Sequence, residues 1–281
     1  MEDIVWRGMT RAQLDAAYNN SAAVKNSGEK LADWQRRSEI VRARHKELLD
    51  LTYGPRPRNR IDAFRCGRSR APLLVYIHGG YWQRNAKEFY ACLAEGPLAR
   101  GIDVALIGYT LAPDATLTEI VAEVRAALRW LRAQGPGLGL ATEKLIVSGW
   151  SAGGHLTAMT VGDADAGLAI SGIYDIEPCR LNYLNEKLNM TVDEQVALSP
   201  IRQLPSRSPP LTITYGLAEL PELQRQSRDY HEARQKAGLP SELMTLAGHD
   251  HFSILEELAS PTGALCEAVV CLSGEIRESA G

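Results

Sequence analysis

At 281 residues, 45% hydrophobic and 23% charged, the chain has the size and composition of one large or two small soluble globular domains. A formal net charge of -3 excludes a general attraction to nucleic acid or anionic membranes, and no stretch approaches the ~18 apolar residues of a membrane span. The first ten residues lack the apolar run of a secretory signal, and five scattered cysteines without a C-x-x-C pair read as single thiols in a reducing cytoplasm, with no zinc or redox motif.

Residues 1–50 are polar, charged and helix-prone, and are expected to form an N-terminal helical arm. Thr10-Arg11-Ala12-Gln13 reads as a capping box opening a short helix. A longer helix is predicted over 30–50, carrying Trp34, Ile40, Val41 and Leu48. Residues 51–281 then form the main domain. Arg60 to Cys66 alternates like an antiparallel edge strand, and apolar β-rich runs follow at 73–77, 104–107, 145–147, 168–171, 211–215 and 243–246.

Helical periodicity lies between several of these runs. The clearest instance opens at the capping box Thr116-Leu117-Thr118-Glu119 and places Ile120, Val121, Val124, Leu128 and Leu131 on one face. Short strands buried on both faces, alternating with amphipathic helices, predict an α/β fold with a mostly parallel sheet flanked by helices. Residues 178–210 break the rhythm with Pro178, Pro200, Pro205, Pro209 and Pro210, and read as a cap-like insertion over the C-terminal edge of the sheet. An apolar face near 254–258 offers either a homodimer contact or packing against the sheet.

The chemistry gathers where strands end. Leu145-Ile146-Val147-Ser148 runs directly into Gly149-Trp150-Ser151-Ala152-Gly153, and helical sequence follows. G-x-S-x-G between a strand and a helix marks a nucleophile elbow. The turn is so sharp that residues two away from the serine must lack bulk. It lifts the hydroxyl of Ser151 above the sheet and aims a helix N-terminus at developing negative charge.

A second strand end, His78-Gly79-Gly80-Tyr81-Trp82, supplies two glycines whose N–H groups can turn toward a substrate oxygen. Gly79, Gly80 and Ala152 are therefore the candidate oxyanion donors. His78 is expected to hold this loop by hydrogen bonds and not to act as a base. Tyr81, Trp82 and Trp150 are candidate walls for an aromatic acyl or leaving group.

In such a fold the acid and then the histidine follow the serine. His155 comes too early, and His231 lies in a charged helix over 222–236. That leaves His249 and His251 after the last strand. His251 is preferred because Phe252 beside it can pack and fix the ring. Glu219 is the first carboxylate after the 211–215 strand and is the preferred acid, with Glu222 and Asp175 as competitors. Glutamate can serve, because the acid orients and stabilises the imidazolium without taking the proton.

The segments His78-Gly79-Gly80-Tyr81-Trp82, Tyr109-Thr110-Leu111-Ala112-Pro113, Gly149 to His155 and Ser171-Gly172-Ile173-Tyr174-Asp175 resemble kynurenine formamidase (arylformamidase) of the α/β-hydrolase fold. The resemblance runs through roughly residues 60–260. It implies hydrolysis of N-formylkynurenine to kynurenine and formate without a metal or other cofactor, by a triad at Ser151, Glu219 and His251. Glu219 departs from the aspartate of the animal and fungal enzymes. The neighbouring expectation is a broad carboxylesterase or amide or carbamate hydrolase for small acyl substrates. A more distant one is a fold relative that only binds a small molecule or a protein.

Overall fold

The computed structural model describes residues 3–274. The arm begins with a hairpin that the sequence reading did not anticipate, β1 (Ile4–Trp6) and β2 (Met9–Thr10). Its turn, Arg7-Gly8, has positive φ at both residues, the conformation that two-residue hairpin loops require. The expected capping box then opens α1 (Arg11–Ala17): Thr10 accepts from the Gln13 N–H, and the Gln13 side chain accepts from the Thr10 N–H. After α2 (Asn20–Ala23) comes the long helix, α3 (Ser27–Arg44). It starts and ends earlier than predicted, and residues 45–50 are a connection into the sheet.

One eight-stranded sheet organises the rest. It contains β3 (Leu51–Thr52), β4 (Arg60–Phe64), β5 (Leu73–Ile77), then α4 (Glu95–Ala99) and β6 (Asp103–Ile107). It continues through α5 (Leu117–Gln134), β7 (Leu145–Trp150), α6 (Ala152–Thr160) and β8 (Ala166–Ile170). The strand order is β10-β9-β8-β7-β5-β6-β4-β3, where β9 is Leu211–Gly216 and β10 is Ser241–Leu246. Six strands are parallel, and β4 and β3 pair antiparallel at one side. The edge strand predicted over Arg60–Cys66 forms over Arg60–Phe64 and is second from the edge, because two residues of β3 close outside it.

Every residue of β5 through β9 is buried, as a parallel sheet covered on both faces demands. Alternation divides their side chains between two cores. Leu73, Val75 and Ile77 pack with Ile120, Val124 and Leu128 of α5. Leu74 and Tyr76 pack on the other face with Trp34 of α3 and Leu265 of α12 (Ala264–Ser273).

The expected insertion folds as α7 (Glu177–Leu181), α8 (Asn185–Leu188) and α9 (Val192–Ala197), and the long α10 (Pro221–Lys236) follows β9. Near α11 (Glu256–Ala259), Ile254, Leu255 and Leu258 are fully buried in the second core. Of the two uses expected for that apolar face, these side chains pack inside the domain.

Candidate active site

Ser151 stands between β7 and α6 with φ 58° and ψ -116°, a region that L-residues seldom occupy and that stores strain. The glycines flanking it show why the elbow tolerates nothing larger. A Cβ on Gly149 would lie 2.4 Å from the Gly153 oxygen, and one on Gly153 would lie 2.0 Å from the Ile77 oxygen. Helix and strand therefore approach backbone to backbone across the turn. Ser151 donates its own N–H to Ile170 O of β8, and its carbonyl accepts from His155 N. The side chain is thus held at the start of α6, where the Ala152 N–H has no acceptor within the helix.

The loop after β5 lies against this turn. A Cβ on Gly79 would meet Trp150 O at 2.7 Å and Ser151 Cβ at 3.1 Å, so Gly79 packs closely against the turn that carries Ser151. Gly80 has φ 118°, and its carbonyl accepts from the N–H groups of Gln83 and Arg84. Asn85 ties the loop down by donating to Gly79 O and to the Tyr90 hydroxyl.

His78 does what its position suggested. Its Nδ1 bonds Gly79 O at 2.8 Å, and its ring stacks on Tyr109 at 4.3 Å. Burial lowers its pKa to about 4, so it is a neutral strut beneath the loop. His155 is a second such strut, bonded to Leu198 O and also lowered to about 4 by burial.

The structure brings Glu219 and His251 together. Glu219 Oε2 lies 2.7 Å from His251 Nδ1, and both side chains are buried. The other oxygen, Oε1, accepts from Ser171 Oγ at 2.6 Å and from Gly216 N–H at 2.7 Å. Glu219 can reach all three because Gly216 ends β9 and lets the chain press on the following loop. A Cβ there would stand 2.1 Å from His249 O. Ser171, also at positive φ, sits at the end of β8; that it holds the Glu219 carboxylate was not legible in the sequence.

The competing residues are engaged elsewhere. Glu222 is paired with Arg225 and accepts from the Tyr18 hydroxyl. Asp175 accepts from Arg202 and Ser199. His249 faces Glu257 at 3.4 Å, and His231 bonds Ser241.

Trp150 turns out to be more than a wall. Its indole N–H donates to His251 O at 2.7 Å, and its ring lies 4.8 Å from the imidazole. Phe252 packs edge-on against the same ring at 5.4 Å, with Trp34 stacked beyond it at 6.2 Å. Aromatic side chains from α3, β7 and the loop after β10 thus fix the backbone of the histidine.

Ser151 and His251 open into a cavity of about 210 Å³ whose walls include Trp150, Phe252 and Tyr81. The arm forms another wall, through Asn20, Ser21 and Leu31. The Tyr81 hydroxyl fastens this wall by donating to Tyr18 O and accepting from Asn20 Nδ2. Trp82 corrects an expectation. It does not line the cavity; it is fully buried, edge-on to His155 at 5.0 Å, because positive φ at Tyr81 and Trp82 turns the chain back into the core.

Among the described residues, one acidic trio could suggest a metal: Asp50, Asp62 and Glu88. Lys87 Nζ lies 2.7 Å from an oxygen of each. An ammonium therefore occupies their centre, where it knits the arm's exit to β4.

Residues 65–168 match the BD-FAE family. Over 96% of this chain and 99% of its own length, the kynurenine formamidase of Danio rerio is 28% identical, and that of Drosophila melanogaster is 28% identical over 76% and 74%. The esterase LipC of Mycobacterium tuberculosis is 26% identical over 84% of the chain and 68% of its own length. Among solved structures, a putative thioesterase from Silicibacter sp. superposes with a TM-score of 0.83 at 26% identity, covering 92% of this chain and 99% of that one. The sheet, the elbow and these relatives make the chain a kynurenine formamidase-like α/β hydrolase.

Proposed function

We propose that the chain hydrolyses an aryl formamide, N-formylkynurenine to kynurenine and formate, through a formyl-enzyme on Ser151. The observation that carries the reading is that His251, paired with Glu219 at 2.7 Å, lines the same cavity as the elbow serine. The likeness to kynurenine formamidases over nearly the whole chain supports the substrate. A cavity of about 210 Å³ with aromatic walls suits a compact aryl compound, being smaller than the roughly 300–1,000 Å³ of sites for drug-sized ligands.

The chemistry needs only the chain's own groups. With Nδ1–H held by Glu219, the imidazole has Nε2 free to accept the Ser151 proton as Oγ attacks the formyl carbon. The resulting oxyanion lies toward the amides of Gly79, Gly80 and Ala152, and each such donor is typically worth ~2.7–4 kcal/mol in the transition state. Collapse breaks the C–N bond, and His251 returns the proton to the departing aniline nitrogen. A water then attacks the formyl ester, giving its proton to His251, and formate leaves as Ser151 is reprotonated. An aniline is a better leaving group than an alkyl amine, which makes this amide tractable for a serine enzyme.

The five cysteines are all free thiols, and that supports a cytoplasmic setting within this reading. The second reading is a carboxylesterase for short acyl esters, favoured by the likeness to LipC; it keeps every residue role and changes only the acyl and leaving groups. A fluorophosphonate probe followed by peptide mapping, together with turnover of N-formylkynurenine against p-nitrophenyl acetate, tests both. Labelling confined to Ser151 with formamide preference is the expected result. Labelling with ester preference moves the substrate, and no labelling removes the nucleophile.

A further inference from the structure

Two of the three groups of the proposed triad are tied to the end of one strand. The Ser151 N–H donates to Ile170 O, the last carbonyl of β8. The hydroxyl of the next residue, Ser171, donates to Glu219 Oε1 at 2.6 Å. The strand end is itself held from both sides. Ser171 N–H donates to Thr214 O of β9, and a Cβ on Gly154 of α6 would stand 2.8 Å from Gly172 Cα. Nucleophile and acid thus take their relative position from adjacent residues of one tightly packed turn.

Ser171 holds an uncommon conformation in doing this. Its φ is 50°, in the left-handed region where glycine is at ease and an L-residue stores strain. The residue is fully buried, and among the described residues its hydroxyl has one hydrogen-bond partner, Glu219. Glycine would suit the backbone better, so what serine adds there is the hydroxyl on the acid. Glu219 needs such a prop, because glutamate has one more side-chain torsion to fix than aspartate. Its Oε2 meets His251 while Oε1 stays between the Ser171 hydroxyl and the Gly216 N–H.

We infer that Ser171 is a positioning residue of the triad, holding Glu219 in register with Ser151 so that the carboxylate meets His251. The inference rests on the Ser151, His251 and Glu219 triad proposed above, and not on a formamide as its substrate. Ser171 does not line the cavity, so it acts through Glu219 and not on the substrate. A hydroxyl bonded to a carboxylate is short and about twice as strong as a neutral pair. An acid that loses one of its donors loses part of the orientation it gives the imidazole. Every step in which His251 takes or returns a proton is affected, whichever acyl group is transferred.

The test removes the hydroxyl in two ways, Ser171→Ala and Ser171→Gly, the second of which also frees the backbone. Two readouts do not depend on the natural substrate: the rate constant for labelling of Ser151 by a fluorophosphonate, and kcat and KM for p-nitrophenyl acetate. Both variants should lose ~10- to 100-fold in labelling rate and in kcat, the cost of a hydrogen bond to a charged group. KM should stay within about twofold of the wild type. Circular dichroism should remain native, and Ser171→Gly should melt no lower than Ser171→Ala. A role in folding alone would instead lower the melting temperature and leave the kcat of the folded protein intact. Near wild-type rates in both variants overturn the inference and leave the triad standing, since the wild type is still labelled. Loss of rate only where the native spectrum is lost overturns it as well. A wild type that is not labelled at Ser151 overturns the triad itself, and the role of Ser171 with it.

Discussion

Replacing Glu219 by glutamine changes one atom pair and should nearly abolish turnover, for a reason fixed by the hydrogen bonds around it. Gly216 N–H can only donate, and it lies 2.7 Å from Oε1. The carbonyl oxygen of the new amide must take that place, where Ser171 Oγ also donates from 2.6 Å. Its NH₂ then faces His251 Nδ1 across the 2.7 Å now spanned by the hydrogen bond. Nδ1 becomes the acceptor and the ring proton moves to Nε2, the nitrogen that must be empty to take a proton from Ser151. Forcing this tautomer costs about 10⁴-fold in kcat in a triad enzyme. Glu219→Asp keeps the charge but draws the carboxylate back by one methylene, so the three contacts cannot all persist; a loss on the order of 10²-fold follows from misplacement of about 1 Å. Both variants should retain the native circular dichroism spectrum. Steady-state kinetics on N-formylkynurenine decide it: a glutamine variant keeping more than a tenth of wild-type kcat would refute the role given to Glu219.

Further expectations follow from packing and burial. Gly153→Ala must push a Cβ to within 2.0 Å of the Ile77 carbonyl, whereas a Cβ on Gly162 meets nothing within 4 Å. The first should cost at least about 2 kcal/mol and abolish activity; the second should lie within about 1 kcal/mol of wild type, both read by urea unfolding. Trp34→Ala should cost ~3–5 kcal/mol and also lower kcat, because Trp34 backs the Trp150 and Phe252 rings that hold His251; a melting curve and a rate assay give the two effects. For His78 and His155, both lowered from 6.5 to about 4 by burial, the unfolded chain takes up protons that the folded chain refuses as pH falls below 6.5. Stability is therefore full above that pH and should fall by roughly 2 kcal/mol per histidine by pH 5, and His155→Gln should flatten the dependence of the urea midpoint on pH.

The legible parts of the molecule were those set by local rules. Both capping boxes, at Thr10 and Thr116, begin helices where they were read, since cap chemistry depends on residues three apart. The buried strands were visible as β-rich apolar runs, and the elbow through the steric demand on Gly149 and Gly153. His251 and Glu219, which the structure pairs, were singled out through chain order, loop position and the packing offered by Phe252.

What escaped depends on contacts between distant segments. Trp82 looked like a cavity wall because it follows the glycine pair, but two successive positive φ values bury it beside His155. The hairpin at residues 4–10 is too short to show periodicity, although Arg7-Gly8 was a turn signal that could have been read. That Asn20, Ser21 and Leu31 of the arm would line the cavity, and that Ser171 would hold the acid, required the tertiary fold. Polar residues on a charged helical arm look the same in sequence whether they face solvent or a substrate.

The most direct measurement is kcat/KM for N-formyl-L-kynurenine, followed by the absorbance of kynurenine, with Ser151→Ala as the blank. A wild-type value within the ~10⁴–10⁸ M⁻¹s⁻¹ typical of enzymes on their own substrates, absent from the alanine variant, is the expected result. A value orders of magnitude lower, or turnover that survives in Ser151→Ala, would contradict the proposed activity.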